Sequence, residues 1–118
     1  MEKILVQQMI EDCAATVLGS GCGEIDKIVR DSREVQPGSL FVAIVGENMD
    51  GHKFIPKAWE LGAEAVLAQK DNPYVKEEEI PEGKTVILVE DTIKAMGRIA
   101  ASYKARLGLK SVAVTGSV

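Results

Sequence analysis

A chain of 118 residues, 46% hydrophobic and 27% charged, has the size and balance of one globular domain with its own core, which excludes a disordered or fibrous polypeptide. A net charge of -4 and a pI near 5.0, with no basic patch or interleaved aromatics, argue against nucleic-acid binding. No apolar run approaches the roughly 20 residues that span a bilayer, and MEKILVQQMIEDC at the start lacks a long apolar segment with a cleavage site, so a cytoplasmic protein is expected.

Taken in chain order, Val6, Met9, Ile10 and Cys13 recur at helical spacing and predict a short amphipathic helix, with Gly19 and Gly21 as its stop and a short strand at 16–18 before them. Cys13 and Cys22 show no CxxC spacing, and one histidine leaves too few ligands for a metal site; reduced thiols, with Cys13 packed in the helix face, are expected. Residues 25–30 mix β-branched and charged side chains as a half-exposed strand would. Pro37-Gly38 marks a turn that feeds the apolar run 40–45, predicted to be a buried central strand. A loop at 46–52 leads to a helix over 53–61, with Pro56 in its first turn and Gly62 at its end.

A short strand is predicted at 65–68, followed by a polar, proline-bearing connection over 69–84 with at most one helical turn around Glu77-Glu78-Glu79. Residues 85–89 predict another strand, and Asp91 or Thr92 a helix cap. Ile93, Met96, Ala100, Tyr103 and Leu107 form the stripe of a helix closed by Gly108, and a last buried strand is predicted at 111–115. Strands alternating with helices imply crossover connections and an α/β fold, a small mixed, mostly parallel sheet with flanking helices.

Ligands of α/β sheets gather beyond the carboxyl ends of strands, and the loop after 40–45 is such an end. Gly46 and Gly51 let backbone N–H groups approach a ligand closely, Asn48 offers a donor and an acceptor, and the start of the next helix supplies further N–H groups. Ser32 and Arg33, placed beside that loop, would add a hydroxyl and a planar cationic fork for a phosphate or a uracil edge. The same residue types allow a purely structural reading: Asp50 as a helix cap, His52 as a surface residue of the first turn, and Arg33 paired with Asp31 or Glu34. Spacing fixes no partner that would make His52 an acid or base, and no GxSxG supports a Ser/His/Asp triad.

The last residues, 112-VAVTGSV-118, read as a strand running into Thr115, Gly116 and Ser117 in the manner of a P-loop, whose Lys-Thr pair is expected a few residues further on. The expectation is a chain cut inside that motif.

The run DSREVQPGSLFVAIVGENMDGHKFIPKAWELGAEAVL resembles the N-terminal domain of the Mur ligases, which build the peptidoglycan stem peptide, and VAVTGSV resembles the start of their TGSxGKTT ATP-binding loop. The resemblance covers nearly the whole chain. It implies a UDP-substrate-binding domain over 1–110, with 111–118 as the first strand and the beginning of the P-loop of an ATP-binding central domain. GEN before DGH, and TGSV, look closer to the family branch that adds D-alanyl-D-alanine to UDP-N-acetylmuramoyl-tripeptide than to the branch that adds the third stem residue. The sibling branch and a stand-alone small-molecule-binding module are the alternatives.

Carried over by position, the resemblance implies that Ser32, Arg33, Gly46, Glu47, Asn48, Asp50 and Gly51 line the UDP site, while Asp31 and His52 brace its loops. It also implies ATP and Mg for the full-length enzyme, with neither expected on this fragment. The P-loop lysine is not in the chain, so the fragment alone is expected to be inactive. One position departs from the family pattern: the residue before the loop glycine, often lysine, is Val45 here, and no cation reaches a ligand from it.

Overall fold

The computed structural model describes residues 4–13, 15–21, 23–47 and 49–114, with side chains through residue 105. In chain order the elements are β1 (Ile4–Leu5), α1 (Val6–Cys13), β2 (Thr16–Gly19), β3 (Glu24–Ile25), β4 (Lys27–Val29), β5 (Ser39–Val42), α2 (Ile55–Glu60), β6 (Ala65–Gln69), β7 (Thr85–Val89) and α3 (Thr92–Val114). A five-stranded sheet has the order β2-β7-β6-β5-β4, in which β4 to β7 run parallel and β2 pairs antiparallel with β7. β1 and β3 form a separate antiparallel pair. The expected mixed, mostly parallel α/β sheet is therefore observed.

The continuous apolar runs of β5, β6 and β7 follow from burial on both faces. Because successive side chains alternate across the pleat, Leu40, Val42, Leu67 and Ile87 pack with Met9 of α1 and Ile99 of α3, while Phe41, Ala43, Val66 and Val86 pack with Ile55 and Ala58 of α2. The sheet thus lies between α1 and α3 on one side and α2 on the other. Pro56 sits in the first turn of α2, where its missing N–H removes no helical bond.

Several expectations are corrected. The predicted strand 25–30 divides at Asp26, because β3 pairs with β1 whereas β4 pairs with β5. The strand predicted over 40–45 ends at Val42; Ala43 N–H still donates to Leu67 O at 2.9 Å, and the chain then leaves the sheet to form the site hairpin. Only the β5–β6 crossover carries an α-helix. The other parallel connections turn through short 3-10 segments, Ser32–Glu34 and Glu77–Glu79. α1 stops at Cys13, so Gly19, at φ +87°, ends β2 and not the helix.

At the other end α3 runs on through Gly108 to Val114, where a strand was predicted over 111–115. A helix satisfies its own backbone, whereas a strand needs a neighbour to pair with, and neither edge of the five-stranded sheet pairs with this segment. An internal glycine costs a helix only about 1 kcal/mol. Thr115, Gly116 and Ser117 lie outside the described residues, as do Cys22 and Asn48. Among the described residues no helix is long and apolar enough to cross a membrane.

Candidate functional site

The site grows from the carboxyl ends of β4 and β5. Past β4, Asp31 takes an extended conformation and caps the 3-10 turn Ser32–Glu34, its carboxylate accepting from Arg33 N–H at 2.9 Å. The Arg33 side chain folds back on the same carboxylate, with Nε donating to Oδ1 at 3.1 Å and Nη2 to Oδ2 at 2.7 Å. These side-chain bonds, then the backbone one, hold the Asp31 carboxyl down to about 2. Arg33 is solvent-exposed and Ser32 is buried. One of the structural alternatives for Arg33, pairing with Asp31, is therefore what the fold contains.

Past β5, the backbone makes a tight hairpin: Val45 bridges to Asp50, Gly46 N–H donates to Met49 O at 2.8 Å, and Gly51 N–H donates to Ile44 O at 2.8 Å. The two limbs approach so closely that a Cβ on Gly51 would stand 2.9 Å from Ile44 O and 3.0 Å from Ile44 N. Glycine is required there by contact with backbone.

Asp50 then caps the 3-10 turn Gly51–Phe54, accepting from His52 N–H at 2.9 Å. Its carboxylate also takes His52 Nδ1 at 2.7 Å and Asn72 Nδ2 at 2.9 Å. The His52 ring is wholly buried, and its Nε2 accepts from Gln69 N–H at 2.8 Å, so the ring hydrogen resides on Nδ1 and points at Asp50. His52 is not the surface residue that the structural reading allowed. It ties the hairpin to the end of β6, and Asn72 extends the tie into the connection after it. Asn72 was missed in the sequence; its only signal was the Asn-Pro turn step within a segment read as solvated surface.

Burial would raise the Asp50 carboxyl, but the hydrogen bonds from Asn72 and from the His52 backbone and ring outweigh it and hold it below the ordinary value. A depressed folded value contributes stability that is complete above the unfolded carboxylate range and is lost as pH falls through the folded value. The stability gap between the wild-type chain and Asp50→Asn is thus expected to be constant above about pH 5 and to shrink below about pH 4. Urea unfolding across that range measures it, and a gap that widens on acidification would refute the sign.

Between the two elements lies a groove of about 570 Å³, lined by Arg30, Asp31, Ser32 and Arg33 on one side and by Ile44, Gly46, Met49, Gly51 and Phe54 on the other. Of the sequence-predicted residues, Ser32, Arg33, Gly46 and Gly51 are brought together. Glu47 is exposed and does not line the groove, Asp50 is turned into the internal network, and Asn48 is outside the described residues. Arg30, Met49 and Phe54 are additions that the motif did not flag. The groove can offer guanidinium and an apolar wall together, a combination suited to a nucleotide, whereas the Gly46 and Gly51 N–H groups expected to meet a ligand are committed to Met49 O and Ile44 O within the hairpin. Among the described residues no group of three His, Cys, Asp or Glu side chains gathers to hold a metal ion.

The Mur ligase family, catalytic domain, matches residues 24–104, and this chain belongs to the Mur ligase family. It is 38% identical over 93 residues to the UDP-N-acetylmuramoyl-tripeptide--D-alanyl-D-alanine ligase of Bacillus subtilis (strain 168), across 79% of this chain and 19% of that protein. A ligase of the same description from Synechocystis sp. is 39% identical over 96% of this chain and 24% of its own length. The UDP-N-acetylmuramoyl-L-alanyl-D-glutamate--2,6-diaminopimelate ligase of Listeria monocytogenes is 43% identical over 80% of this chain and 18% of its own. The chain therefore spans between 18% and 24% of these relatives. Among solved structures, MurF from Acinetobacter baumannii superposes with a TM-score of 0.68 at 25% identity, over 86% of this chain and 21% of that one.

Proposed function

We propose that this chain is the substrate-holding domain of a cytoplasmic, ATP-dependent ligase that joins D-alanyl-D-alanine to UDP-N-acetylmuramoyl-tripeptide in peptidoglycan synthesis, and that it holds the UDP end. The observation that carries this reading is the groove in which the 31-DSR-33 turn and the 46–51 hairpin face each other at the carboxyl ends of β4 and β5. In it the base and sugar rest on the apolar wall of Ile44, Met49 and Phe54, while guanidinium receives the phosphates.

Residues 1–110 form this domain, and 111–118 open the ATP-binding unit, with Thr115, Gly116 and Ser117 as the first part of its phosphate loop. In the whole enzyme ATP and Mg supply phosphoryl transfer to the substrate carboxylate, and the chain by itself performs no step of that chemistry. Relatives that add D-alanyl-D-alanine align with up to 99% of the chain, and the superposed Acinetobacter structure is a MurF, which favours this branch over the sibling that adds the third stem residue. The Listeria relative keeps the sibling as the second reading.

The test is an amide-shift titration of the chain with UDP-N-acetylmuramoyl-tripeptide. Weak binding is expected, because part of the ligand rests on other domains in the whole enzyme, with shifts at Ser32, Gly46 and Gly51. Shifts confined to Glu77–Glu79 would count against the groove, and ATP-dependent amide formation by the chain alone would contradict the division of labour. The branch is decided by which substrate, dipeptide- or tripeptide-bearing, the whole parent enzyme consumes.

A further inference from the structure

We propose that Arg30 is the cation that receives the diphosphate of the nucleotide ligand, at the seam between the groove and a second hollow beside it. The inference rests on the nucleotide reading above and names a residue that neither the motif nor the turn geometry singled out.

Arg30 directly follows β4 and helps to line both the groove and an adjoining hollow of about 470 Å³. Among the described residues, three charged ones line the groove: Arg30, Asp31 and Arg33. Asp31 and Arg33 are engaged with each other, with Nη2 and Oδ2 at 2.7 Å, and their charges cancel at the distance of a ligand. The Arg30 side chain makes no hydrogen bond or ion pair with any other described residue and is exposed, so among the described residues it alone brings uncompensated positive charge to the groove. Across the hairpin, Val45 is exposed but apolar and offers an anion nothing.

Besides Asp31, the second hollow is lined by the carboxylate residue Glu34, which disfavours a phosphate deeper on that side and leaves the seam as the favourable place. With the base against Ile44, Met49 and Phe54, a diphosphate leading away from the apolar wall meets the Arg30 fork, which can bind two oxygens at once. Arg33 then acts mainly by holding Asp31 and the turn in shape.

The experiment compares UDP with uridine, which lacks only the diphosphate, by amide-shift titration of the full chain at low ionic strength, for wild type, Arg30→Ala and Arg30→Lys. Arg30→Ala should raise the Kd for UDP about tenfold and leave that for uridine within about twofold, as expected for one partly exposed charge-assisted contact. Arg30→Lys should recover part of the loss, since it keeps the charge without the fork. Unchanged UDP affinity in Arg30→Ala would overturn the assignment while leaving the nucleotide reading in place. Equal weakening of UDP and uridine would also overturn it, by revealing a merely structural effect. A wild-type chain that binds neither ligand would overturn the nucleotide reading and this inference with it. Arg30 is exposed and has no partner to lose, so both variants should retain the wild-type amide spectrum.

Discussion

Replacing His52 by alanine should destabilise the chain by about 3 to 5 kcal/mol, the largest loss expected from any single polar residue of the site. The ring is wholly buried, so its removal leaves a void under the hairpin. It also strands two groups at once: Gln69 N–H loses its acceptor at 2.8 Å, and Asp50 loses the ring donor at 2.7 Å. A buried donor left without a partner costs about 1 to 3 kcal/mol by itself, and the lost packing adds to it. Urea unfolding at neutral pH measures the effect; a drop below about 1 kcal/mol would show that the ring is not the strut described here. Asp50→Ala should be strongly non-additive with His52→Ala, because the two side chains form one network, and a double-mutant cycle with a coupling near zero would break that link.

Gly51→Ala should weaken nucleotide binding at least tenfold while costing about 1 to 3 kcal/mol of stability, the usual penalty of forcing a methyl into a filled space. The new methyl would meet Ile44 O and N at 2.9 and 3.0 Å, and backbone atoms cannot rotate away as a side-chain tip can. The hairpin would have to open, lengthening the Gly51 N–H to Ile44 O bond of 2.8 Å and moving Met49 and Gly46 off the groove wall. Gly97 is the control, since a Cβ there meets nothing within 4 Å; Gly97→Ala should leave binding unchanged. Equal affinities for wild type and Gly51→Ala would mean that the ligand does not depend on this hairpin.

Most of the elements were legible because their causes are local. The stripe Val6, Met9 and Cys13 fits one helix face, and the runs at 65–68 and 86–89 are apolar at every position because both faces of those strands are covered. Asp91 as a cap was visible as a side chain one step before a helical stripe, and it does accept from Ile93 N–H at 2.9 Å and Lys94 N–H at 3.1 Å. The ends of elements were less legible. Whether 43–45 stays in the sheet depends on a hairpin closing through Val45 and Asp50, and whether 111–114 is strand or helix depends on a partner strand outside the local sequence.

By itself, the sequence determined the α/β class, the order of most of the elements, the DSR turn and the glycine-bearing loop as the two pieces of a candidate site, and the membership of the Mur ligase family. Only the tertiary structure decided what those pieces do to each other. It drew Arg33 onto Asp31, turned Asp50 away from the groove into a network with Asn72, 22 positions along the chain, and buried His52 against Gln69, 17 positions along. It also left Arg30 as the groove's uncompensated charge. The reason is physical: periodicity and turn chemistry act over a few residues, whereas a hydrogen-bonding side chain is committed by whichever polar group the packed sheet brings within 3 Å of it.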